Sequence, residues 1–135
     1  MKKRLLVVLM ILVLLLSTGT VFASEITPYL AETRVAMVFE QTSNTAALAE
    51  VNCLNSEVSD SIKCKITLQE YKATSAAYED TTKTKTSTVT DSSHLHMTAT
   101  FSISDGKKYR IKVTVTSKKD VVTEIDNYFC KMTEL

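Results

Sequence analysis

From Lys108 to Ser117 the chain alternates without a slip, with Tyr109, Ile111, Val113 and Val115 set against Arg110, Lys112, Thr114 and Thr116. Side chains on a β-strand point to opposite faces at every step, so this pattern gives one apolar and one wet face and cannot be reconciled with a helical stripe. Two further segments follow the same rule. In Ile62 to Lys72 the apolar set is Ile62, Cys64, Ile66 and Leu68; in His94 to Ile103 it is Leu95, Met97, Ala99, Phe101 and Ile103. Weaker strand signals cover Thr33 to Glu40, Ala46 to Leu54, Tyr78 to Val89 and Val121 to Phe129. After Ala23 there are 18 threonines and 12 serines, which suit half-buried strands. Turn residues fall between the segments: Gln41 to Thr45, Asn55 to Ser61, Ser104-Asp105-Gly106 and Ser117 to Asp120.

Seven short strands in about 100 residues, with no long helical period, predict an all-β fold. The expected form is a single antiparallel immunoglobulin-like or fibronectin-like β-sandwich. Tyr29 to Glu40 and Ala46 to Leu54 also have helix-favouring content, so a helix packed on a sheet is the competing form there. Tyr109, just after Asp105-Gly106, stands where a tyrosine corner would hydrogen-bond back across the turn. The tryptophan and the inter-sheet disulfide of antibody domains have no counterpart, so the similarity concerns architecture and not ancestry.

The N-terminus reads as an export signal. Lys2, Lys3 and Arg4 precede an apolar run from Leu5 to Leu16, and Val21 and Ala23 provide the small-residue pair for cleavage. Residues 1–23 are therefore expected to be removed, leaving a domain of residues 24–135, secreted or held in the cell envelope. An uncleaved anchor is the alternative. No second apolar stretch follows that would hold the mature chain in a membrane.

The residues Ile26-Thr27-Pro28-Tyr29, Ala49 to Cys53, Lys65-Ile66-Thr67-Leu68-Gln69 and Gly106 to Val115 resemble the small secreted β-sandwich proteins of uncharacterised function from Gram-positive gut bacteria. The family's tryptophan after the Leu-Gln strand is missing, and Tyr78 stands in its place. The resemblance implies a fold and an exported address, and carries over no catalytic residue.

Charge and motifs exclude more than they select. After Ala23 there are 13 basic and 15 acidic side chains, a formal charge of −2. This argues against holding nucleic acid or an anionic bilayer by bulk electrostatics. Gly106 is the one glycine outside the signal segment, so there is no phosphate-binding loop. Carboxylates are scattered and select no acid–base pair. Lys83, Lys85, Lys107, Lys108, Lys118 and Lys119 are open to a basic-patch reading, but acids are interspersed and solvated strand faces explain them as well. His94 and His96, two apart on one strand face with Asp91 upstream, are the weak candidates for a metal site.

Of the three cysteines, Cys53 and Cys64 share inward parity. They are the disulfide candidate, worth about 3 kcal/mol for a loop of roughly 12 residues; the alternative is that both stay reduced in the core. Cys130 is left over. The expectation is thus a non-catalytic exported scaffold without a cofactor, binding an extracellular protein or cell-wall polymer, with Tyr71, Tyr78 and Tyr128 as candidate contacts. Oligomerisation through an edge strand is open to it. A secreted inhibitor or immunity-type protein, and a metal-dependent enzyme using His94 and His96, are the alternatives.

Overall fold

The computed structural model describes residues 33–135. The signal segment, its cleavage site and the Ile26–Tyr29 motif lie outside the described residues. Within them the chain is all β, with five antiparallel strands: β1 Thr33–Ser43, β2 Ala46–Lys72, β3 Ala77–Ser102, β4 Tyr109–Lys119 and β5 Val122–Lys131. The sheet runs in the order β1-β2-β4-β5, and β3 pairs with β2 along its other edge. No helix of the described residues is long and apolar enough to cross a membrane.

The expected count of seven strands is corrected to five, because four of the predicted segments fuse in pairs. Ala46 to Leu54 and Ile62 to Lys72 are the two halves of β2, while Tyr78 to Val89 and His94 to Ile103 are the two halves of β3. The predicted loop Asn55 to Ser61 is instead a bulged bend inside β2. Between the pairs Leu54↔His94 and Ser59↔Ser92, β2 advances by five residues and β3 by two. Those three extra residues shift the parity of β2. Ala47, Ala49, Val51 and Cys53 are buried before the bend and Ile62, Cys64, Ile66 and Leu68 after it, all in the same core. Without the shift the second apolar set would face water.

The bend curls the sheet into a half-barrel. One layer holds β1, the first half of β2 and the second half of β3; the other holds the first half of β3, the second half of β2, β4 and β5. Phe39 and Phe101 meet edge to face in the core, with centroids 6.5 Å apart. Along one side the layers are joined where Thr133 N–H donates to Phe39 O at 2.9 Å and Gln41 N–H donates to Thr133 O at 2.8 Å. The other side is a seam between the halves of β3, spanned by Lys83 Nζ donating to Ser102 O at 2.6 Å.

Within the described residues, 33–40 and Ala46 to Leu54 are strand and not helix. Val35, Met37 and Phe39 pack inward from β1, and Ala47 and Ala49 lie fully buried in β2, so burial at period two overrides local propensity. The predicted corner at Ser104-Asp105-Gly106 is present. Gly106 takes φ +76°, a left-handed conformation that glycine adopts without strain. Buried Tyr109 accepts a hydrogen bond on its hydroxyl from the Ser104 N–H at 3.0 Å.

Candidate binding face

Antiparallel partners directly opposite one another share a face. On the outer face of the larger layer, Tyr71 pairs with Tyr78, Gln69 with both Asp80 and Arg110, Thr67 with Lys112, and Lys112 with Phe129. The side chains interlock. Tyr71 and Tyr78 pack edge to face with centroids 5.3 Å apart. The Arg110 guanidinium carbon lies 4.5 Å from the centroid of the Tyr78 ring and 4.4 Å from that of Phe129, so one cation sits against two rings.

A hydrogen-bonded row fixes that cation. Arg110 Nε donates to Gln69 Oε1 at 2.6 Å, Gln69 Nε2 donates to Asp80 Oδ1 at 2.6 Å, and Lys112 Nζ donates to Asp80 Oδ2 at 2.9 Å. The Gln69 bond first, and the Lys112 bond after it, hold the Asp80 carboxyl below its usual range and keep it ionised. With the row satisfied, Tyr71 and Phe129 remain 38% and 49% exposed. The result is an ordered aromatic and cationic surface open to solvent. Beside it Tyr78, Lys108, Lys131 and Glu134 border a shallow cleft of about 240 Å³.

Tyr71 and Tyr78, named from sequence, are therefore brought together here. Tyr128 is not an outward contact: opposite Val113, it packs against the core, and burial raises its hydroxyl pKa. Its neighbour Phe129 takes the outward position. Arg110, Gln69, Asp80 and Phe129 were missed by the sequence reading. The signal for Arg110 and Phe129 was present, since both occupy polar-face positions of their strands.

The other candidates lie elsewhere. His94 and His96 do share the outer face of the smaller layer, but both rings turn to one acceptor, with His96 Nδ1 2.8 Å and His94 Nε2 3.3 Å from Asn52 Oδ1. Among the described residues no group of three or more His, Cys, Asp or Glu side chains comes together to hold a metal ion. Val38 and Leu54 are exposed on this face. The expected Cys53–Cys64 bridge is corrected: all three cysteines are free thiols. Cys53 and Cys64 are fully buried, and the hydrogen bond they share, followed by burial, pushes the Cys64 thiol up. They serve as small apolar fillers between the layers. Cys130 is partly buried against the core, and burial raises its pKa too.

No protein-family model matches the chain, and no curated protein does. Among solved structures the chain is similar to Spo0M, the sporulation control protein of Bacillus subtilis, at 6% identity and a TM-score of 0.40. The match covers 74% of this chain and 49% of that one, so the chain spans about half the length of that structure.

Proposed function

We propose that this chain is an exported, non-catalytic binding scaffold that engages a protein or wall polymer at the cell envelope through the outer face of the larger layer. The observation that carries this reading is the Arg110 cluster. Exposed rings are held in place by a cation, an amide and a carboxylate, so little side-chain freedom is left to lose on binding. Export rests on the basic and apolar N-terminal segment, with cleavage after Ala23. The strand segments, three in one layer and four in the other, support an immunoglobulin-like outline for the scaffold.

The test is co-sedimentation of the purified chain with isolated envelopes of the producing organism. The wild-type chain is expected to sediment with them, and a Tyr78→Ala/Phe129→Ala variant of matching thermal stability to stay in solution. A variant that sediments as well as wild type, or a wild-type chain that does not sediment, overturns the proposal.

A further inference from the structure

The charges of this molecule are segregated. Residues 33–135 contain 13 basic and 13 acidic side chains and are formally neutral. Strand register nevertheless places Lys63, Lys65, Arg110, Lys112, Lys118 and Lys131 on the outer face of the larger layer. Asp80 is the one acidic residue that the register aligns with them. The acids of β5 take the opposite parity, because Glu124 and Asp126 lie across from the buried residues Ser117 and Val115. Lys63, Lys65, Lys118 and Lys131 make no salt bridge with another described residue.

The cations are spread rather than gathered at one point. Lys63 and Lys65 are two apart on β2, and Lys112 and Lys118 lie on β4 beside it. Spacings of about 6.6 Å along a strand and about 4.8 Å between strands make a grid for a chain carrying repeated negative charges. Between the cations stand hydroxyl and amide groups at the surface, including Thr114, Thr116 and Asn127, which hydrogen-bond well to a hydroxylated ligand. We propose that this face binds an anionic polysaccharide, its carboxylates lying against the lysines and its hydroxyls against the threonine rows.

A single-stranded nucleic acid is the less fitting polyanion. Its hold on a groove of this kind depends on open ring faces that stack bases, and here Tyr78 and Phe129 already share the Arg110 guanidinium. The overall charge balance hides the feature, because acids of opposite parity on β5 and acids in the turns offset the lysines of this face.

This inference rests on the binding-face reading and names the ligand class for it. The test measures affinity of the purified chain for polygalacturonate, neutral dextran and single-stranded DNA at low and at physiological salt. Two variants of equal charge change are compared with wild type: Lys63→Gln/Lys65→Gln on the outer face, and Lys83→Gln/Lys85→Gln, which line the seam, with Lys85 across from the inward Ile66 of β2. The expected result is salt-sensitive binding of polygalacturonate and none of dextran, weakened about tenfold or more in the first variant and unchanged in the second. Equal loss in both variants, binding of dextran, or tighter binding of DNA than of polygalacturonate overturns the inference. So does absence of polygalacturonate binding, and if envelope co-sedimentation still depends on Tyr78 and Phe129, the ligand class alone has fallen.

Discussion

Asn55 holds the bend of β2 from inside. Its amide Nδ2 donates to Ser59 Oγ at 2.7 Å and to Ser117 Oγ at 3.3 Å, and its Oδ1 accepts from Thr33 Oγ1 at 2.9 Å, so one buried side chain ties β1, both arms of β2 and β4. A bulge leaves its own backbone short of ladder partners, and here side-chain bonds from Asn55 hold the bend where the ladder is interrupted. Replacing Asn55 by Ala removes the hub and leaves buried Ser59 and Ser117 hydroxyls with fewer partners. The expected loss is about 2 kcal/mol of unfolding free energy, within a range of about 1 to 3. Urea denaturation checks it, with the midpoint moving and the slope unchanged. At the same scale the sequence spoke unevenly. Tyr71, Tyr78 and Tyr109 were recognisable because a tyrosine beside a turn or on an outward position has a stated use. Asn55 read as a polar loop residue, since nothing local distinguishes an asparagine exposed in a turn from one buried in a bulge.

At the level of elements, every predicted segment after residue 32 is a strand, and the error lies at two junctions. Alternation reveals strands but not their continuity, because a parity shift looks the same in sequence whether a loop or a bulge causes it. Residues 55–61, rich in Asn, Ser, Glu and Asp, imitate a turn. What makes the segment a bend is tertiary: β3 runs past it with a slip of three residues and without a break. Amide hydrogen exchange separates the two readings. Amides from Ile62 to Thr67, flanked on both edges by β3 and β4, should exchange slowest, together with their partners from Thr84 to Val89 that point toward β2. Residues 56–58 should exchange fast. Uniformly fast exchange across residues 84–89 would mean that the first half of β3 is not part of the sheet.

Across the whole molecule, the curl gives the two layers different outer faces. The smaller carries Val38, Leu54, His94 and His96 with few cations; the larger carries the Arg110 cluster and the lysine grid. The all-β class was legible in the alternation. Charge segregation was not, because the lysines that stand out as adjacent or closely spaced in sequence, such as Lys83 with Lys85 and Lys107 with Lys108, mostly lie off the outer face. Lys63 and Lys65 have the same spacing as Lys83 and Lys85, so spacing does not single them out, and they meet Lys112 and Lys131 only through strand register. A central role for the larger layer is tested most directly by a ¹H–¹⁵N NMR titration of the labelled chain with solubilised envelope polymer. The account predicts concentration-dependent shifts at Lys65, Gln69, Arg110, Lys112 and Phe129, with Val38, Asn52, His94 and His96 unmoved. Shifts centred on those latter four residues, or none on either face, would contradict it.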